Sequence, residues 1–217
     1  MDNPDATFIL GSRSPRRLEL LRQLVPATRL EVVSPRSAAE AGFEGLLELP
    51  AIHSRLREIA RAKCQDVLEQ LSAERRWHIK AVIAADTTIV VSDSHGGLVV
   101  LSQPPADDSW QDVVRHWFRA YYAARPHFAL TGLCVSDSEG RITERVVQSE
   151  VTFHSDCNRW IEWYIATGEP RGKAGGYALQ GAGSLFVSQV KGSLSNVIGL
   201  PLRELKEIFE ELGIDAG

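Results

Sequence analysis

The run Thr7-Phe8-Ile9-Leu10-Gly11-Ser12-Arg13-Ser14-Pro15-Arg16-Arg17-Leu18-Glu19-Leu20-Leu21 decides the fold class. It opens with a short apolar stretch that stops at Gly11-Ser12, the pattern of a buried strand ending in a turn. From residue 16 to 24 leucine recurs at helical spacing, at Leu18, Leu21 and Leu24 with Leu20 beside them. Ser14 suits a helix N-cap and Pro15 the first helical position. Strand, tight loop, helix is the opening of an α/β protein. The loop is also chemically loaded. The N–H groups and dipole of a helix N-terminus favour an anion, and Arg13, Arg16 and Arg17 add guanidinium forks that match phosphate oxygens. Cations at this end of a helix oppose its dipole, so local stability does not explain them. The competing reading is a solvated basic turn.

Outward from this run, residues 30–33 read as a second short strand and residues 34–50 as a loop. Residues 51–71 form an amphipathic helix carrying Ile52, Leu56, Ile59, Ala60, Lys63 and Val67. Residues 81–91 are a strongly apolar strand with Asp86 set inside it. A turn at Asp93-Ser94-His95-Gly96-Gly97 leads back through residues 98–101. After Pro104-Pro105 the spacing predicts a helix over 107–124. A hairpin follows, with strands at 128–135 and 146–153 around Asp137-Ser138-Glu139-Gly140. A helix at 157–167, a glycine-rich stretch at 173–183, a strand at 185–190 and a helix at 202–212 complete the chain. Alternating helices and strands with a central hairpin predict α/β with a mixed sheet. Residues 1–217 are expected to form one domain with two lobes, dividing near Pro104-Pro105.

The 217 residues are 44% hydrophobic and 24% charged, which argues for a folded chain over a disordered one. A net charge of −4 lacks the basic footprint of a nucleic-acid binder. No run of 18 apolar residues reads as a membrane-spanning helix, and Met1 to Leu10 lacks the basic start of a signal peptide. Cys64, Cys134 and Cys157 lie far apart with no CxxC pair, so no zinc or redox motif is written here. Buried thiols in a reducing cytoplasm are the expectation.

Asp86 interrupts an apolar strand, which is costly unless the acid is paired or bound to a metal. Ligands in open α/β sheets sit at strand ends, and a carboxylate there can hold a divalent cation or orient water. A structural acid at a bend is the other reading. The glycines of 173–183 would let the backbone approach a ligand closely, and Gln180 could read a base edge; a flexible turn is the alternative. Lys63 matters only if its helix faces the same cleft. His127 is expected to be a satisfied structural histidine.

Leu10 to Arg17 with Glu19-Leu20-Leu21, Ile59-Ala60-Arg61-Ala62-Lys63, Ala85-Asp86-Thr87, Val151-Thr152-Phe153, Lys173-Ala174-Gly175-Gly176-Tyr177 through Gln180-Gly181, and Gly192-Ser193 with Gly199-Leu200-Pro201-Leu202 follow one another along the chain. Together they resemble the Maf family of nucleoside triphosphate pyrophosphatases over nearly the whole length. The resemblance implies an elongated α/β fold, akin to the inosine triphosphate pyrophosphatases, with a cleft between two lobes. It implies hydrolysis of a nucleoside triphosphate to the monophosphate and pyrophosphate with a divalent cation, Mg²⁺ or Mn²⁺. The proton acceptor and metal position falls on Asp86. Substrate-selecting positions fall on Arg16, Thr87 and Gln180, the pattern of the subgroup that takes dTTP and UTP. Phosphate-contacting positions fall on Ser12, Arg17, Lys63 and Lys173.

The chain departs from the family pattern in three places. Ser102-Gln103-Pro104 stands where Gly-Lys-Pro is usual, removing a charge-assisted contact of roughly 1.5–3 kcal/mol. Gly172 replaces an acid before Lys173, and only Glu40 or Glu44 could serve as a glutamate found after the second strand. These changes keep open a catalytically weakened, nucleotide-binding regulator of cell division. The expected partner is a nucleoside triphosphate, with no nucleic acid and no membrane, and a homodimer is the expected assembly if the chain self-associates.

Overall fold

In the computed structural model, which describes residues 7–36 and 42–216, the opening strand lies in a seven-stranded mixed sheet. Strand β1 (Thr7–Gly11) pairs parallel with β2 (Leu30–Val32) on one side and β3 (Ile79–Ser92) on the other. β3 then pairs antiparallel with β5 (Pro126–Asp137), β5 with β6 (Ile142–Phe153), and β6 with β7 (Val187–Lys191). Strand β4 (Leu98–Leu101) joins β3 antiparallel.

The length of β3 positions the site. β1 pairs with its first half only as far as Ala84, opposite Gly11. β4 pairs with its second half only from Ile89, opposite Leu101. Residues 85–88 therefore have a strand neighbour on the β5 side alone. Asp86 sits mid-strand, not at the end of its own strand; the end that opens the space is that of β1. The acid is tolerated in an apolar run because the ladder on that side has stopped.

Side chains alternate across the sheet, and two helical layers cover the two faces. Phe8, Leu10, Ala81, Ile83 and Ala85 pack with Leu20 and Leu21 of α1 (Pro15–Leu21) and Leu205, Ile208 and Phe209 of α7 (Leu202–Leu212). Ile9, Val82 and Ala84 pack with Ala60, Cys64 and Val67 of α2 (Leu49–Gln70). By the same alternation Asp86 belongs to the α2 face and Thr87 to the α1 face. Helix α2 lies close on the sheet at Gly132, which pairs with Asp86. A Cβ on Gly132 would stand 2.4 Å from the Leu56 carbonyl oxygen.

A second apolar cluster, rich in aromatics, occupies the far end of the sheet. Phe118, Tyr122, Phe153, Tyr164 and Phe186 meet there, with Phe118 and Phe186 ring centroids 4.9 Å apart. They come from α4 (Trp110–Trp117) with its π-helical continuation Phe118–Tyr122, from α5 (Ile161–Ala166), and from the sheet. Short helices α3 (Ala73–Arg76) and α6 (Leu194–Ile198) were not anticipated.

Several boundaries differ from expectation for local reasons. Ser14 caps α1, its hydroxyl accepting the Arg17 N–H at 3.4 Å, but the helix stops at Leu21 in tighter turns before Pro26. Pro50 lies in the first turn of α2. α4 begins at Trp110, not residue 107, because the Asp107 carboxylate turns back onto the Ser109 N–H at 2.9 Å. Residues 157–160 form a 3₁₀ turn ahead of α5. Residues 182–186 do so ahead of β7, which starts at Val187. The hairpin turn is as read: Asp137 Oδ1 accepts the N–H groups of Glu139 and Arg141. All three cysteines are buried thiols. No helix of the described residues is long and apolar enough to cross a membrane.

Candidate active site

A cleft of about 680 Å³ opens where β1 ends, between the α1 loop, β3 and the glycine-rich stretch, a volume in the range of small-ligand sites. Its lining includes Ser12, Arg16, Arg17, Lys63, Asp86, Thr87 and Lys173, so seven of the eight residues singled out in the sequence meet there. Gln180 is exposed and outside the lining, beside Leu179, which belongs to it. Glu44 is exposed and also outside the lining, and Glu40 lies outside the described residues.

The charge of the lining is lopsided. Arg13, Arg16, Arg17, Lys63, Arg171 and Lys173 face one carboxylate, Asp86, among the described residues. Lys63 Nζ lies 2.7 Å from Asp86 Oδ1, and the two side chains are only 16% and 14% exposed. Helix α2 reaches that strand because Gly132 lets it sit close. Asp86 Oδ2 makes no hydrogen bond among the described residues.

Ser12, buried at the end of β1, accepts from the Ser14 N–H at 3.1 Å and from Arg17 Nη1 at 3.2 Å. Its own proton is what it can still offer an anion. Arg17 is braced on three sides. Besides Ser12 it donates from Nε to the Gly199 carbonyl at 2.8 Å and from Nη2 to Thr87 Oγ1 at 3.0 Å. The loop arginines thus divide their work, Arg17 tying the wall together and Arg16 standing over the cleft. Burial holds the Arg16 guanidinium below its ordinary value, with Glu169 opposing the shift. Burial also lowers Lys173, and Arg16 pushes it the same way. Two partly desolvated cations that repel each other are stabilised by an arriving anion.

The glycine-rich stretch borders the cleft through Lys173, Ala174, Tyr177, Ala178 and Leu179, but its glycines approach the protein itself. Gly175, at φ +66°, has no room for a Cβ, which would fall 2.6 Å from both Ile89 Cγ1 and Tyr122 Oη. The Tyr122 hydroxyl donates to the Gly175 carbonyl at 2.7 Å, and the Gly175 N–H donates to the Ser102 carbonyl at 3.0 Å. The second contact ties the stretch to Ser102, next to Gln103, and Gln103 and Lys173 both line the cleft.

Sequence reasoning missed Glu169. Its carboxylate accepts from the Ala182 and Gly183 N–H groups at 2.7 and 2.9 Å and from the Tyr164 hydroxyl at 3.0 Å. It holds the end of the glycine-rich stretch and balances Arg16 and Lys173. An acid wedged between Gly168 and Pro170, just ahead of a stretch rich in backbone donors, was the available signal. Arg171 was missed too. It lines the cleft, donates to the Ala106 carbonyl at 3.1 Å and stacks over Trp110. His127 is buried as a structural residue with Nε2 2.9 Å from the Tyr177 hydroxyl oxygen, but it is only half satisfied, since Nδ1 is buried with no hydrogen-bond partner among the described residues.

The family model described as Maf-like protein matches residues 7–212. The dTTP/UTP pyrophosphatase of Anaeromyxobacter dehalogenans (strain 2CP-1 / ATCC BAA-258) is 37% identical over 209 residues, covering 95% of this chain and 94% of that protein. The protein of the same name from Chelativorans sp. (strain BNC1) is 34% identical over 220 residues, covering 96% and 92%. Among solved structures, the Staphylococcus aureus Ham1 protein aligns at a TM-score of 0.40 and 11% identity, over 69% of this chain and 72% of that one. The family match and the relatives agree over almost the full length, and the chain belongs to the Maf family.

Proposed function

We propose that this protein is a hydrolase that cleaves dTTP and UTP to the nucleoside monophosphate and pyrophosphate. The observation that carries the reading is a cleft lined by six cationic side chains with one carboxylate among the described residues. That carboxylate is held by Lys63 through one oxygen and has the other to use. The relatives named dTTP/UTP pyrophosphatase share this chain over nearly its whole length.

Cleavage at the α-phosphorus needs an oriented water, a proton acceptor and cations on the departing pyrophosphate. Asp86 Oδ2 takes the proton of the attacking water while Lys63 keeps the carboxylate in place. Arg16 and Lys173 neutralise phosphate charge, as their partial burial makes their charges act over short distances with little screening. Ser12 donates its proton to a phosphate oxygen. Arg16 and Thr87 select the base, and Gln180 acts from the rim.

The described residues hold no group of three acidic, histidine or cysteine side chains that could cage a metal alone. The donor set does fit Mg²⁺ or Mn²⁺ held by one carboxylate together with substrate phosphates. Asp86 would hold such an ion, which when bound supplies charge neutralisation on the phosphates.

A panel of nucleoside triphosphates with a pyrophosphate readout tests the reading. Expected is a kcat/KM for dTTP and UTP at least about tenfold above that for ATP and GTP, a modest discrimination for a pocket contact. A preference for purines or 7-methyl-GTP overturns the selectivity. Nucleotide binding without pyrophosphate release would leave the regulator.

A further inference from the structure

Behind the wall of the cleft a chain of polar groups runs from Arg17 into the core. Arg17 Nη2 donates to Thr87 Oγ1 at 3.0 Å, and Thr87 Oγ1 lies 2.9 Å from Thr131 Oγ1. Thr131 Oγ1 donates to the Asn196 carbonyl at 3.3 Å. Either hydroxyl can donate across the Thr87–Thr131 contact, and the two ends favour one placement, since a guanidinium only donates and a carbonyl only accepts. In that placement Thr131 gives its proton to the Asn196 carbonyl and Thr87 supplies the proton between the two hydroxyls. The competing acceptor for Thr87, the Gly199 carbonyl, is at 3.5 Å, the outer limit of a hydrogen bond.

Thr131 and Asn196 are both fully buried, and neither lines the cleft. Asn196 Nδ2 donates to the Ala129 carbonyl and to Ser149 Oγ, each at 3.0 Å. Its Oδ1 is buried with no partner among the described residues. Turning the amide over would set that oxygen against the Ala129 carbonyl, so the orientation is determined. A buried amide that leaves an acceptor unmatched is a poor way to fill a core. What it achieves is attachment: it fastens α6 to β5 and β6. Helix α6 ends at Gly199, whose carbonyl receives Arg17 Nε at 2.8 Å. Both the Nε and the Nη2 contacts of Arg17 thus lead back to the Thr131–Asn196 pair.

We propose that Thr131, tied to the Asn196 carbonyl, is a positioning residue that draws the Thr87 proton inward and so fixes how Thr87 and Arg17 meet the substrate. The kinetic consequence rests on the pyrophosphatase reading; the structural one does not.

Thr131→Val keeps the shape and removes the hydroxyl, and Thr131→Ser keeps the hydroxyl. With dTTP, Thr131→Val is expected to raise KM about tenfold, the scale of one hydrogen bond to a charged network, with kcat changed less than about threefold. Thr131→Ser should stay near wild type. In a Thr87→Val background, Thr131→Val should add nothing further, because its effect passes through Thr87. Independent effects of the two substitutions, or failure of serine to rescue, overturn the proposal. A second measurement needs no turnover: hydrogen exchange of the Arg17 Nε–H by NMR, the signal identified by its loss in Arg17→Lys. Exchange should be slow in wild type and Thr131→Ser and much faster in Thr131→Val; equal rates in all three overturn the proposal. A wild type that releases no pyrophosphate refutes the functional reading and leaves this exchange comparison to decide the positioning role. Should Thr131→Val not fold, Thr131→Ala carries the same expectations.

Discussion

Lys63 on α2 and Asp86 on β3 form a largely buried ion pair, Nζ to Oδ1 2.7 Å, at the one stretch of β3 that neither β1 nor β4 covers. Taking two charges out of water is costly, so such a pair is weak as a source of stability. Its position at the cleft gives it a use that packing alone does not.

Asp86→Asn keeps the shape of the side chain but accepts no proton and binds a hard cation weakly. The expected result is a folded protein whose kcat falls by about 10²-fold or more. Circular dichroism checks the fold and pyrophosphate release checks the rate. Near wild-type turnover would make Asp86 structural.

Gln103→Lys returns a cation to a position that lines the cleft. A phosphate clamp binds ground state and transition state alike, so KM for dTTP should fall more than kcat rises. Arg171 and Lys173 line the same cleft, and repulsion from them limits the gain to a severalfold change. If KM is unchanged or higher in steady-state kinetics, those two residues already do the work of the missing lysine.

Much of this was legible in residue order. The β1–α1 unit, the hairpin turn at Asp137 and the apolar β3 announce themselves through period, cap and turn chemistry, all of which are local. Arg16 and Asp86 were legible as residue types that do not fit plain structure where they stand, whereas Lys63 and Lys173 stood out only through the family resemblance. The roles of Thr131 and Asn196 were not, because they depend on strand register between Thr87 and Thr131, and on α6. That helix spans five residues, and its signal was the Ser193 cap, whose hydroxyl accepts the Asn196 N–H at 3.1 Å. The glycines misled for a related reason: composition shows that backbone comes close to something, not to what.

His127 offers a test of linkage. Burial pushes it from an ordinary value of 6.5 down to about 3. The folded protein keeps the ring neutral where the unfolded chain takes up a proton. Above about pH 6.5 the residue adds no pH dependence; from there down towards about pH 3, stability falls by up to about 1.4 kcal/mol per pH unit. His127→Gln retains a partner for Tyr177 and should flatten that slope, as measured by urea unfolding at a series of pH values. Parallel slopes would show that the ring does not resist protonation.

Gly132→Ala should lower stability by about 1–3 kcal/mol, the usual cost of overpacking. The added Cβ meets the backbone of α2 at Leu56, which cannot step aside as a side chain would. Because α2 also carries Lys63, KM should rise as well. A thermal midpoint within a degree of wild type would show that α2 has room to shift.

The Arg17 contact with the Gly199 carbonyl spans 182 residues of sequence. Phe8 of β1 likewise packs against Phe209 of α7, ring centroids 5.6 Å apart. The loop that carries Arg17 is synthesised long before the residue that braces it. A growing chain can fold the long hairpin and α2 before it can seat Arg17, and distant pairings of this kind form slowly. The α1 loop therefore stays unbraced until Gly199 has been made, and Arg17 takes its place only as distant parts of the chain come together.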